Sequence, residues 1–95
     1  MLHILQRSPF QTDLESILRY VKQGDELLLV QDAVIVALSG TKALDLLLAA
    51  PISIYALQED IEARGLTAQI STSIGKVSYT DFVRLTVKHE QQITW

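Results

Sequence analysis

The stretch Leu27-Leu28-Leu29-Val30 places four apolar side chains in a row with no polar residue among them. Successive side chains of a strand point to opposite faces, so this segment needs apolar cover on both sides. A strand of that kind belongs inside a parallel sheet held between two helical layers. Asp25 and Glu26 lead into it, and Gln31-Asp32 closes it. Ile52 to Leu57, with high β-propensity, reads as a second such strand after Pro51.

The remaining segments alternate with these strands. Met1 to Gln6 reads as a strand ended by Arg7-Ser8-Pro9, because proline cannot donate to a ladder. Thr12 to Glu15 has the spacing of a capping box, with Thr12 as the cap. Leu14, Ile17, Leu18 and Val21 then lie on one helical face, and Gly24 suits the residue just past the helix. Ala33 to Leu38 fits either a strand or a helical turn; if helical, Asp32 is its expected N-cap. Thr41 caps a helix bearing Leu44, Leu47 and Leu48, which Pro51 stops. Glu59-Asp60 opens a short helix ended by Gly65, with solvated carboxylates expected in its first turn. Leu66 to Ile74 reads as a loop, Gly75 to Ser78 as a short strand and Gln92 to Trp95 as a fifth. Thr80 or Ser78 caps the last helix, with Phe82, Val83, Thr86 and Val87 expected inward. The β-α-β-α-β-α-β-α-β order predicts one α/β domain over 1–95, with a mostly parallel sheet and helices on both faces. Ligands of such sheets bind beyond the carboxyl ends of the strands, here near Arg7 to Phe10, Gln31 to Ala33, Gln58 to Asp60 and after Tyr79.

The composition excludes several chemistries. The 95 residues contain no cysteine, so disulfides, thiolate metal sites and persulfide chemistry cannot reside on this chain. A formal charge of −3 argues against a dedicated nucleic-acid grip. Hydrophobic residues are 48% of the chain, so part of the apolar surface is expected to meet a partner. Arg7, Pro9 and Asp13 interrupt any signal-type apolar region, and Ala33 to Leu38 is too short to cross a bilayer. A cytoplasmic location is therefore expected.

No constellation carries catalysis. The loop after the first strand, Gln6-Arg7-Ser8-Pro9-Phe10, lacks the glycines that cradle phosphates. The ends of the first and third strands lack the clustered carboxylates of a phospho-acceptor domain. No nucleophile elbow surrounds a serine. His3 is expected to be a packed, hydrogen-bonded imidazole, and His89 to complement a helix dipole. Neither belongs to a metal-binding pattern. Arg84, Lys88 and His89 form a basic stripe whose simplest reading is a solvated face. Trp95 either caps the core beside the first strand or anchors an interface.

Met1-Leu2-His3 with Arg7-Ser8-Pro9, GDELLLVQD (24–32), YALQEDIEARGL (55–66), YTDFVRLTVKH (79–89) and Trp95 together resemble the DsrH-type subunit family of the bacterial TusBCD sulfur-relay complex, within the DsrE/F/H superfamily. The resemblance spans essentially the whole chain. It implies a three-layer α/β/α sandwich with a five-stranded parallel sheet of order 4-3-2-1-5. It also implies a role in 2-thiolation of the wobble uridine of certain tRNAs, within a heterohexamer containing TusC-like and TusD-like subunits, two copies of each. TusA-like and TusE-like carriers would exchange sulfur with that complex, and the sulfur-carrying cysteine would lie on the TusD-like subunit. Some DsrH relatives carry a cysteine in the first helix; Asp13 to Lys22 has none. The expectation is a non-catalytic subunit without cofactor, metal or membrane contact, in which direct tRNA binding is not expected. Arg7, Asp32 and Gln58, from their strand-end positions, and Trp95 are its expected interface residues. The alternative is a free-standing flavodoxin-like ligand-binding domain.

Overall fold

The computed structural model describes residues 1–95. Strands β1 (Leu2–Leu5), β2 (Glu26–Leu29), β3 (Ser53–Leu57), β4 (Gly75–Val77) and β5 (Gln92–Thr94) form one all-parallel sheet of order 4-3-2-1-5. Helices α1 (Leu14–Tyr20), α2 (Lys42–Leu48), α3 (Gln58–Ala63) and α4 (Tyr79–Lys88) connect them. The chain steps across the sheet from β1 to β4 and then returns past β1 to β5. Right-handed crossovers therefore put the first three connections on one face and α4 on the other.

Strand parity builds a core on each face. Leu5, Leu27, Leu29, Ile54 and Ala56 pack with Leu14, Ile17, Leu44, Leu47 and Ile61 beneath the first three helices. Leu2, Ile4, Leu28, Val30, Leu57 and Val77 form a smaller core, against which Phe82 and Leu85 of α4 pack. The apolar run that opens β2 thus feeds both cores, as a doubly covered strand must.

Several local expectations are corrected. Asp13, not Thr12, caps α1: its carboxylate accepts from the Ser16 N–H at 3.3 Å and the Ser16 hydroxyl at 2.7 Å. The Thr12 hydroxyl is buried without a partner. Gly24 is not the residue just past α1, because the helix already gives way to extended backbone at Val21; Gly24 (φ 91°) instead turns the chain into Asp25. Gln31 to Ala37 is a 3-10 helix whose preceding residue is Val30, so Asp32 lies in its first turn and not at its cap. The Leu66 to Ile74 segment contains a 3-10 turn at Thr67–Gln69 and an antiparallel bridge between Leu38 and Ile70.

Other expectations hold. Thr41 caps α2 through the Leu44 N–H. At the end of α3, Gly65 (φ 66°) donates to the Glu62 carbonyl and Leu66 to the Ile61 carbonyl, which satisfies two orphan carbonyls. Ser78 and Asp81 form a reciprocal capping box on α4. The inward face of α4 differs from the expected one. Phe82, Leu85, Thr86 and His89 turn toward the sheet, while Val83 and Val87 are exposed. The helix is apolar on two sides, and local spacing alone does not say which side meets the sheet.

Candidate functional site

Three polar clusters and two grooves mark the candidate positions. The first cluster comes from Asp25 and His3, both buried. His3 Nδ1 lies 3.2 Å from the Trp95 indole N–H, and Nε2 lies 2.9 Å from Asp25 Oδ2. An indole nitrogen can only donate, so Nδ1 accepts and the proton sits on Nε2, which donates to Asp25. Asp25 also accepts from the Met1 ammonium at 3.1 Å and from the Lys22 N–H at 3.0 Å. Burial by itself would raise the Asp25 pKa; the His3, Lys22 and ammonium donors outweigh it and hold the carboxyl at about 2.

The second cluster centres on Glu26. The pleat sends Asp25 and Glu26, adjacent in sequence, to opposite faces of the sheet. Lys88 Nζ and His89 Nε2 each approach Glu26 Oε1 at 2.7 Å. Burial again pushes the carboxyl up, but the Lys88 and His89 contacts prevail and lower it to about 2. Its hydrogen bond to Glu26, together with burial, raises the pKa of the Tyr55 phenol. The basic stripe is therefore divided. Lys88 and His89 turn onto Glu26, fastening the end of α4 to the sheet, and Arg84 lies 3.6 Å from Asp81.

The third cluster lies at the carboxyl ends of β2 and β3. Arg64 donates from Nε and Nη2 to Asp32 Oδ1 at 3.2 and 2.9 Å. Asp60 accepts the Gln31 N–H at 2.6 Å, and Gln31 adopts φ 52°, the left-handed region that a glutamine rarely occupies. Gln58 donates to Glu62 at 2.8 Å, and Glu59 accepts the Tyr79 N–H at 3.0 Å. The acidic first turn of α3 thus holds neighbouring backbone in place instead of standing free in solvent.

Arg7 and Trp95 meet elsewhere. They line a groove of about 270 Å³ with Gln11, Thr12, Asp13, Ser16 and Ile17. It lies beyond the carboxyl ends of β1 and β5, where the chain switches faces, the position at which parallel sheets bind ligands. A second groove of about 380 Å³ lies between α1 and α2, away from the strand ends. Arg7 is exposed and has no ion-pair partner. Phe10, in the same loop, is 90% exposed.

The four residues expected at an interface therefore separate. Arg7 and Trp95 share the groove, whereas Asp32 is held by Arg64 at the end of α3 and Gln58 bonds Glu62 within α3. Trp95 packs on the main core, with its ring 6.2 Å from that of His3 and 5.5 Å from that of Tyr20, and its other side lines the groove with Arg7. Sequence reasoning missed the burial of Asp25 and Glu26. The available signal was a carboxylate pair directly abutting a doubly buried strand. None of the clusters presents a nucleophile, and no group of three or more His, Asp or Glu side chains could hold a metal.

Comparison with known proteins places this architecture. The family described as DsrH like protein matches residues 7–92. Curated proteins called Protein TusB from Escherichia coli and Klebsiella pneumoniae are 57% and 53% identical, over all 95 residues and the full length of each. Among solved structures, the E. coli ychN protein superposes with a TM-score of 0.77 at 17% identity, covering 99% of this chain and 97% of that one. Protein Tm0979 from Thermotoga maritima gives 0.68 at 26% identity, covering 96% and 97%. The family match over residues 7–92 and the 53–57% identity to the TusB proteins along the full chain lead to one conclusion: the chain belongs to the DsrH-like family.

Proposed function

We propose that this chain is a non-catalytic subunit of a TusBCD-type sulfur-relay complex that serves 2-thiolation of wobble uridine in tRNA. The observation that carries the reading is full-length identity of 57% to proteins called TusB in a chain without a single cysteine. A relay that hands on persulfide sulfur needs a thiol at each carrier, and this chain offers none. Its role is then to hold a partner's cysteine loop in position. The partners are TusC-like and TusD-like subunits, two copies of each with two of this chain, and the complex exchanges sulfur with TusA-like and TusE-like carriers in the cytoplasm.

The carboxyl edge of the sheet is the proposed contact surface. Arg7 and Trp95, with the exposed Phe10 beside them, supply a cation and aromatic surface there. Asp32 and Gln58 line the neighbouring strand ends. Exposed aromatic and arginine side chains are the residue types that most often anchor protein interfaces. Direct tRNA contact has no part in the proposal, because Lys88 and His89 are already engaged by Glu26.

Two measurements test it. Native mass spectrometry of the chain co-expressed with TusC-like and TusD-like subunits should give a complex with two copies of each. A chain that ignores both partners overturns the assembly. Deleting the gene should abolish 2-thiouridine at the wobble position; unchanged thiouridine overturns the function.

A further inference from the structure

We propose that His3 is a proton-operated latch on Trp95: the neutral imidazole holds the indole, and a proton at Nδ1 releases it and moves one wall of the Arg7 groove. Asp25 and Trp95 are the hydrogen-bond partners of His3, at 2.9 Å from Nε2 and 3.2 Å from Nδ1. An indole nitrogen cannot accept, and a charged imidazole has no nitrogen left to accept with. The bond between Nδ1 and the indole N–H therefore exists in one protonation state of His3 alone. The bond to Asp25 exists in both, because the carboxylate accepts from Nε2 whether or not Nδ1 carries a proton.

The surroundings leave the extra proton without an acceptor. His3 is 1% exposed, so water does not take the place of the indole. Asp25, from the turn before β2, is engaged at Nε2 and also holds the Met1 ammonium and the Lys22 N–H. Burial would raise its pKa, but these donors hold it at about 2, so it stays ionised where imidazoles change charge. Trp95 comes from the end of β5, and its carboxyl end accepts the Gln6 N–H at 3.4 Å. From α1, Tyr20 packs on the indole, while Asp13 and Arg7 line the groove beside it. Glu26, Lys88 and His89 meet on the opposite face of the sheet. The His3 and Trp95 rings lie 15° from coplanar, and their 3.2 Å contact runs along the indole N–H, so they meet edge to edge. A cation is attracted to an aromatic face and not to an N–H edge. Protonation thus sets two donors against each other.

The release reaches the surface because the end of β5 has few other anchors. Gln92, Ile93 and Thr94 are all exposed, and Trp95 is the residue of this segment that packs on the main core. Backbone bonds to Leu2, Ile4 and Gln6 keep the strand on β1 but do not fix the indole. Trp95 also lines the groove with Arg7, so an indole that leaves His3 takes that wall with it. The groove is formed when His3 is neutral and opens as the pH falls. The latch does not depend on the sulfur-relay reading, and the full chain by itself tests it.

One tryptophan and two histidines make each group traceable by NMR. At about pH 8 the imidazole nitrogen spectrum should show the His3 proton on Nε2. Acidification to about pH 5 should move the indole N–H resonance and speed its exchange with solvent on the order of 10-fold, the effect of losing one hydrogen bond and facing a second donor. His3→Gln keeps an acceptor for the indole and a donor for Asp25 but cannot titrate, so its indole resonance should stay fixed. His89→Gln alters the histidine on the opposite face and should respond like the parent. A neutral His3 with its proton on Nδ1, or a parent indole resonance that stays fixed on acidification, overturns the proposal. So does a response that survives in His3→Gln or is lost in His89→Gln. The first two outcomes are read on the unsubstituted chain, so they decide the matter even where a variant fails to fold.

Discussion

Replacing Glu26 by Gln removes one charge from beneath α4 while keeping the side-chain shape. The folded carboxyl titrates at about 2 against an ordinary 4.5. That depression corresponds to about 3 kcal/mol of stability at pH 7. The carboxylate is 6% exposed, so solvent screening takes little from it. The sign follows from the depressed value. The stabilisation is complete above the unfolded pKa and is lost as pH falls through the folded one, here between about 4.5 and 2. Thermal unfolding at pH 7 should put the Glu26→Gln chain roughly 12–24 °C below the parent, given about 4–8 °C per kcal/mol for a domain of this size. By pH 3 the free-energy gap should fall to about half its neutral value, because the parent is losing what the variant never had. A gap below about 1 kcal/mol at pH 7, or one that does not change with pH, would refute the view that Glu26 fastens α4 through charge.

Three further substitutions probe other contacts. Trp95→Phe keeps an aromatic ring on the core but removes the N–H that His3 accepts, so it should cost about 1–3 kcal/mol in chemical denaturation; an unchanged midpoint would mean the bond contributes nothing. Gly75→Ala should destabilise by about 1–3 kcal/mol, because a Cβ there would stand 2.8 Å from Tyr55 Cδ1 and force that ring to move; the shift should vanish when Tyr55→Ala is made first. Gln31→Gly should stabilise by about 1 kcal/mol, since glycine accepts the left-handed backbone without strain; a loss of stability would show that the Gln31 side chain contributes more than its backbone costs.

The sequence by itself determined the elements and their alternation. The unbroken Leu27 to Val30 run demands two covered faces, and the turn chemistry at Thr41, Gly65 and Ser78 is local, so each could be read from neighbouring residues. Sheet order came from family resemblance, because periodicity does not say which strands are neighbours. Tertiary structure alone decided the rest. Thr12 has the spacing of a cap, yet the chain buries its hydroxyl and leaves Asp13 to cap the helix start. Which side of α4 faces inward depends on where its two apolar stripes meet the sheet. The placement of Asp25 and Glu26 is the clearest case. Their side-chain partners lie 22 to 63 residues away, and strand register sends one toward His3 and the other toward Lys88 and His89. Local spacing carries no information about contacts at that separation; the pleat and the crossovers supply it.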